Sequence, residues 1–351
     1  MESPKAEHEA RRSEEGEDNH HRTGDQSLSG GGLHHPENPE HQERAGGTGD
    51  SSAELRSGCE PVEPEWAALR RHWYSQTYIL LEIAKLLNSK EMCYIEKDAP
   101  PHRQPKVMRC GQGFTVDLLK SHFDAFRFFD FSGYNMYYSL MNFKTPMPTF
   151  SFAPPERKEQ YAKWTDGGYK EYFKSYDWGV DFDSKSIPEA HQDAQKLKIL
   201  FDQYRLPYSL KFSGSKGFHF RVVAHWLPEL PLDKIVPMLN ELTYKIKMID
   251  NIPHIDSSII DDRRVFKIDY SFDRGKICLP LTDEQFEHFD LKMVEPAQVL
   301  HSVQIKNRGV LERFSSLSQE QAVANFWKLA KNFINVSRYI DTPKKMKGVK
   351  K

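Results

Sequence analysis

The chain has 351 residues, 38% hydrophobic and 12% aromatic, enough for a substantial core in one large domain or two small ones. A formal net charge of -1 excludes, for the chain as a whole, both the basic signature of a nucleic-acid binder and the acidic signature of disorder. No apolar run approaches the roughly 20 residues of a membrane span, and no charged start precedes an apolar segment, so a soluble, intracellular protein without a membrane partner is expected.

Residues 1–60 are rich in Glu, Gly, Ser and His and contain almost no Ile, Val, Phe or Tyr. Such a segment cannot bury enough apolar surface to offset its conformational entropy, and it is expected to be a disordered polar tail. Its histidine pairs, His20-His21 and His34-His35, lack spaced partners and read as solvated side chains. Cys59, Cys93, Cys110 and Cys278 form no C-x-x-C pair, which argues against a zinc ribbon or a disulfide framework and fits a reducing compartment.

The folded domain is expected over 61–340, followed by a short basic tail over 341–351. A long amphipathic helix between about 65 and 88 opens it. Extended segments "EMCYIEKD" and "KVMRCGQGF" follow, then a short helix "TVDLLKSHF" and a hairpin, "FRFFDFSGYNMYYSLMNF", turning at Ser132-Gly133. Beyond a Pro-rich loop and a Tyr- and Lys-rich segment, "WGVDFD" is a strand and "EAHQDAQKLKILFDQYRLP" a helix with Leu197, Leu200, Phe201 and Tyr204 on one stripe. "YSLKFSG" and "GFHFRVVAHW" are strands, so a βαβ unit followed by a hairpin partner is expected. Ile235, Met238, Leu239, Leu242 and Ile246 mark another helix, with Pro237 in its first turn. "VFKIDYSF" and "KICLPL" read as two strands around the turn "DRG", and "SQEQAVANFWKLAKNFINVSRY" is a final helix opened by capping residues.

Three islands carry chemistry. Asp181 and Asp183 sit one residue apart on a strand, so both point the same way, and two adjacent carboxylates need a positive neighbour. Oxygen pairs of this kind suit Mg²⁺ or Mn²⁺. In "FSGSKGFHF", Gly214 and Gly217 bracket Ser215-Lys216, a tight turn that could present N–H groups, Ser213 and Lys216 to an anion, with His219 entering the next strand. In "HIDSSIIDDRRVFKID", Asp256 is followed by Arg263, Arg264 and Lys267, with Asp261 and Asp262 as further acids. Carboxylates for two metals and cations for a triphosphate are the parts of in-line phosphoryl transfer.

The order D-x-D, then S-G-x-x-G-x-H, then a single D resembles the archaeo-eukaryotic primase superfamily, most of all the small catalytic subunit of replicative DNA primase. The resemblance spans about residues 65–315. It implies an α+β primase catalytic fold with a central mixed or antiparallel sheet flanked by helices. It implies that Asp181, Asp183 and Asp256 coordinate two Mg²⁺ or Mn²⁺ ions and that Ser213, Lys216, His219, Lys267 and Arg263 or Arg264 contact the triphosphate. The implied activity is DNA-templated nucleotidyl transfer that makes short primers on single-stranded DNA with release of pyrophosphate, alongside a large subunit. A primase-polymerase of repair, mobile-element or viral type extending with dNTPs, and a non-catalytic nucleic-acid-binding relative, are the alternatives. The implied compartment is the nucleus in a eukaryote and the cytoplasm in a prokaryote.

Where the replicative family carries a zinc module, this chain joins the acid pair to the histidine motif through one cysteine-free helix, so no zinc is expected. Ser215 and Lys216 stand where the family often has two arginines, and Asp273 is expected to repel a triphosphate if it points inward. The acidic tail leaves the folded part net basic, suited to weak, salt-sensitive template binding.

Overall fold

The computed structural model describes residues 65–96, 107–109, 119, 134–145, 154–257, 261–273, 275–301 and 312–340. The expected tails at 1–60 and 341–351, most of the helix "TVDLLKSHF" and the first strand of the hairpin turning at Ser132-Gly133 lie outside these residues. The architecture is α+β, with antiparallel sheets and covering helices.

The opening helix is two helices, α1 (Glu65–Ser75) and α2 (Thr77–Leu87), because Gln76 adopts an extended conformation at φ -76°, ψ 112°. Ile79, Leu80, Ile83, Leu86 and Leu87 bury one face of α2. Strands β1 (Lys90–Glu96), β2 (Val107–Arg109) and β3 (Tyr134–Phe143) follow, then helix α3 (Pro154–Thr165) and strand β4 (Phe173–Tyr176). They pair antiparallel in the order β2-β1-β3-β4.

The second sheet is built from β5 (Trp178–Asp181), β6 (Ser209–Phe212) and β7 (Phe218–Val222), with helix α4 (Ile187–Gln203) between β5 and β6. Its order is β5-β7-β6, with β7 antiparallel to both neighbours. The expected βαβ unit is therefore split: the hairpin partner inserts between the two parallel strands instead of lying outside them. On one face Val180, Phe182, Leu210, Phe212, Phe218 and Phe220 are all buried. Aromatic contacts at 5.9 Å between Phe201 and Phe220 and 5.2 Å between Trp178 and Phe201 seat this face on α4. Each such side chain contributes roughly 1.5–3 kcal/mol on burial.

The alternate face carries Asp181, His219 and Lys211 in one row and Gly179, Arg221 and Ser209 in the next. It is turned toward the first sheet, where the His219 and Phe266 rings stand 4.5 Å apart and the Lys211 ammonium is 5.0 Å from the Tyr138 ring centre. Closeness is set by Gly179, where a Cβ would come within 2.5 Å of the Phe266 ring. Buried charges on this face are paired: Lys90 lies 2.8 Å from Asp177, and Lys211 2.7 Å from Asp269.

Helix α5 (Leu232–Ile249) buries Ile235, Met238, Leu239, Leu242 and Ile246, as its periodicity predicts. Pro237 lies inside the helix rather than in its first turn, because the helix starts at Leu232. The segment "VFKIDYSF" is divided. Strand β8 (Val265–Lys267) pairs with β3, while β9 (Phe272–Asp273) pairs with β10 (Lys276–Ile277) around a turn in which Gly275 has φ +79°. Short helices α6 (Asp283–Glu287) and α7 (Pro296–His301) lead to α8 (Gln319–Phe333), whose N-cap Ser318 forms a capping box with Gln321. No helix among the described residues is long and apolar enough to cross a membrane.

Candidate active site

A cleft of about 300 Å³ opens between the two sheets, and Asp181, Asp183, Ser213, Ser215, Lys216, His219, Lys267 and Asp273 are among the residues that line it. Backbone pairing brings these segments together. Phe182, between the two acids, is buried and bonded through its N–H to the Phe218 carbonyl, and it also bridges to Ile255. The alternation expected of "VDFD" thus holds past the end of β5: the apolar residues face the core and both carboxylates face the cleft.

The turn between β6 and β7 depends on both its glycines. Gly214 has φ +91°, in the left-handed region that side chains disfavour. At Gly217 a Cβ would sit 1.7 Å from the Phe182 carbonyl oxygen. Ser213 closes the turn, accepting a hydrogen bond on Oγ from the Gly217 N–H at 3.1 Å. Lys216 projects from it toward Asp183, 3.8 Å away, both side chains being more than half exposed.

His219 is buried, and its Nε2 lies 3.2 Å from Asp181 Oδ1. Burial pushes the imidazole pKa below its ordinary value, with Lys211 and Lys267 working in the same direction, although Asp181 opposes them. A neutral ring bonded in this way carries its proton on Nε2 and donates to Asp181. The other nitrogen, Nδ1, is then a bare acceptor, and it is buried without a hydrogen-bond partner. For Asp181, burial acts to raise the pKa, but His219, Arg264 and Lys267 outweigh it and hold the carboxyl below the usual range.

Asp256 reaches the same neighbourhood by backbone pairing, since its N–H donates to the Asp181 carbonyl at 2.8 Å. Arg264 bridges the two acids. Its Nη2 is 2.8 Å from Asp256 Oδ2 and 3.9 Å from Asp181 Oδ2. Asp256, Arg263 and Arg264 are all outside the residues that line the cleft; Asp256 and Arg264 join it through Asp181, whereas the Arg263 guanidinium lies 5.1 Å from the centre of the Tyr169 ring. The two neighbours of the arginines are occupied elsewhere: Asp262 accepts from the Tyr169 hydroxyl at 2.6 Å, and Asp261 Oδ1 accepts from the Arg263 N–H at 2.8 Å.

Lys267 lines the cleft as the sequence predicts, but its ammonium is paired with the buried carboxylate of Asp273 and lies 3.2 Å from Ser215 Oγ. Asp273 does point inward, and it spends its charge on Lys267. Asn135 and Tyr137 also line the cleft and were not singled out from sequence. Their signal was the alternation of polar side chains along "YNMYYS", which sets Asn135, Tyr137 and Ser139 on one face of β3.

The donor chemistry fits a hard divalent cation, because Asp181, Asp183 and Asp256 offer oxygen alone and the Arg264 guanidinium already stands as a cation between two of them. Among the described residues, no three Asp, Glu, His or Cys side chains converge on a metal position as they stand. A cation held by all three carboxylates together requires the side chains to move.

No protein-family model matches this chain. Over 136 residues it is 29% identical to an uncharacterized protein of Methanocaldococcus jannaschii, a match covering 33% of this chain and 31% of that protein. The match thus spans about a third of the relative's length. Among solved structures, the polymerase domain of Mycobacterium tuberculosis ligase D in complex with DNA is similar at TM-score 0.40 and 10% identity, covering 77% of this chain and 91% of that one. The primase RepB′ is similar at TM-score 0.33 and 9% identity, covering 65% of each chain. Its catalytic domain in complex with initiator DNA gives TM-score 0.32 and 8% identity, covering 66% of this chain and 98% of that one.

Proposed function

We propose that this protein is a DNA-templated nucleotidyltransferase that synthesises or extends short primers on single-stranded DNA. One observation carries this reading: carboxylates and phosphate-seeking groups meet in a single cleft, with Asp181 and Asp183 at a strand end, Ser213, Ser215 and Lys216 on the turn beside it and Lys267 on the facing sheet. A nuclease could use the acids, but it has no need of a cationic wall for pyrophosphate.

In this reading the 3′-oxygen of a primer or first nucleotide forms a bond to the α-phosphorus of a nucleoside triphosphate. The bond from that phosphorus to the β-phosphate bridging oxygen breaks, and the hydroxyl proton passes to solvent. Asp181, Asp183 and Asp256 would hold a pair of Mg²⁺ or Mn²⁺ ions, which when bound supply activation of the hydroxyl and neutralisation of the departing charge. Lys216 and Lys267 bind triphosphate oxygens through charge-assisted hydrogen bonds, and Ser213 and Ser215 add hydroxyls. His219 orients the Asp181 carboxylate with its Nε2 proton. A large-subunit-type partner anchors the template, which a weakly basic domain does not hold tightly alone.

The test is synthesis on a single-stranded template, and extension of an annealed primer, with Mn²⁺ or Mg²⁺ and labelled ribo- or deoxyribonucleoside triphosphates. Products that vanish in Asp181→Ala/Asp183→Ala are expected, and the preferred sugar separates primase from primase-polymerase. Absence of product on every template and primer, with and without a partner subunit, overturns the reading.

A further inference from the structure

Each carboxylate of the site is held by one of the protein's own groups: Asp181 by the His219 N–H at 3.2 Å, Asp183 by Lys216 at 3.8 Å, and Asp256 by Arg264 at 2.8 Å. The Arg264 bridge differs from the others in touching two acids that the backbone locks side by side, through the hydrogen bond from Asp256 to Asp181. Repulsion between those carboxylates is what the guanidinium relieves. The backbone of Arg264 is itself pinned, its carbonyl accepting from Leu140 N–H at 2.9 Å and its N–H donating to Asp261 at 3.2 Å. Its side chain is a quarter exposed.

We infer that Arg264 is an exchange group: it holds Asp181 and Asp256 in the empty site, gives them up to a divalent cation, and is captured by the triphosphate. The inference rests on the nucleotidyl-transfer reading of the site. Its physical basis is exclusion. A small hard cation binds carboxylate oxygen at roughly 2.0–2.6 Å, so it cannot share Asp256 Oδ2 with a guanidinium, and the two positive groups repel. Displaced alone, Arg264 loses its ion pairs to water. Displaced while a triphosphate fills the cleft, it gains oxygens whose geometry its planar fork matches. Metal and triphosphate therefore bind with positive coupling, and by linkage each strengthens the other equally. The empty protein binds metal weakly, which accords with the absence of a converged three-ligand cluster among the described residues.

The measurement is Mn²⁺ binding to the full chain without nucleotide, read from the free-Mn²⁺ signal in electron paramagnetic resonance. The wild type is compared with Arg264→Gln and Arg264→Lys, and melting curves establish that each variant is folded. Arg264→Gln is expected to bind Mn²⁺ on the order of tenfold more tightly, within the 5–150-fold range of site couplings. Arg264→Lys, which keeps the charge and loses the fork, falls between. In the wild type a non-hydrolysable triphosphate analogue, corrected for Mn²⁺ bound by the analogue itself, raises the affinity, and this gain shrinks in Arg264→Gln. Unchanged or weaker Mn²⁺ binding in a folded Arg264→Gln overturns the exchange and leaves Arg264 as a fixed support. No Mn²⁺ binding in any variant, even with the analogue, removes the metal-dependent reading instead.

Discussion

The carbonyl oxygen of Phe182 occupies the space that a side chain at residue 217 would need, 1.7 Å from the position of a Cβ on Gly217. This single approach clamps the turn carrying Ser215 and Lys216 against the strand end carrying Asp181 and Asp183. Gly217→Ala collides with backbone, which cannot rotate aside. It is expected to destabilise by about 3 kcal/mol, the upper end of overpacking costs, and to lower triphosphate affinity as the turn is pushed off. Urea unfolding and nucleotide binding check the two effects, and a wild-type midpoint would show that the approach has slack.

Asp177 is fully buried and accepts from Asn142 at 2.8 Å and from the Ala224 N–H at 2.9 Å, besides pairing with Lys90 at 2.8 Å. Asp177→Ala strips Lys90 of its carboxylate partner and takes from Arg221 one of its two acidic neighbours. The expected cost is about 3–5 kcal/mol, typical of breaking a buried pair. Adding Lys90→Met should recover part of the loss in the denaturation midpoint, since it removes the stranded charge.

Stability should fall as the solution is acidified from pH 7. Below the ordinary imidazole value of 6.5 the unfolded chain takes up a proton at His219 that the folded chain refuses, so folding weakens there as pH drops. Asp181, held low in the folded state, adds its own loss below the ordinary carboxyl value of 3.8. His219→Gln keeps a donor for Asp181 and does not titrate. Its melting temperature should change less between pH 7 and pH 5 than that of the wild type, and parallel curves would refute the His219 contribution.

Lys267 shares its ammonium between Asp273 and the cleft. Asp273→Asn frees the ammonium and removes a negative charge from the cleft wall. Triphosphate should bind about ten- to a hundredfold more tightly, in line with one recovered charge-assisted hydrogen bond, with a steeper salt dependence. Equilibrium binding at two ionic strengths checks this, and weaker binding would mean that Asp273 positions Lys267 instead of restraining it.

The strands that frame the site were legible because their pattern is strict: Val180, Phe182, Phe218 and Phe220 alternate with polar residues, and only one register buries them all. Alternation identifies a polar face without saying what covers it. That Asp177, Lys211 and Arg221 are buried against the first sheet was invisible for this reason, since the covering strands β3 and β8 come from distant parts of the chain. The same limit applied to "VFKIDYSF", a continuous run that Tyr270, at φ +65°, divides between two sheets. Nor could the sequence choose between Arg263 and Arg264. They leave the turn that precedes β8 side by side, and only the folded chain shows which meets the carboxylates.

The placement of β7 between β5 and β6 bears on how the chain folds. Strand β5 has no neighbour within its own sheet until the β6–β7 hairpin has closed and slid in beside it, a contact between segments well separated along the chain. Pairing of that kind comes late and slowly, after loop-closure entropy has been met. The cleft therefore belongs to the finished fold and to no fragment of it. A ligand captured there stabilises against global unfolding, and resistance to proteolysis on adding triphosphate reports the whole domain rather than a loop.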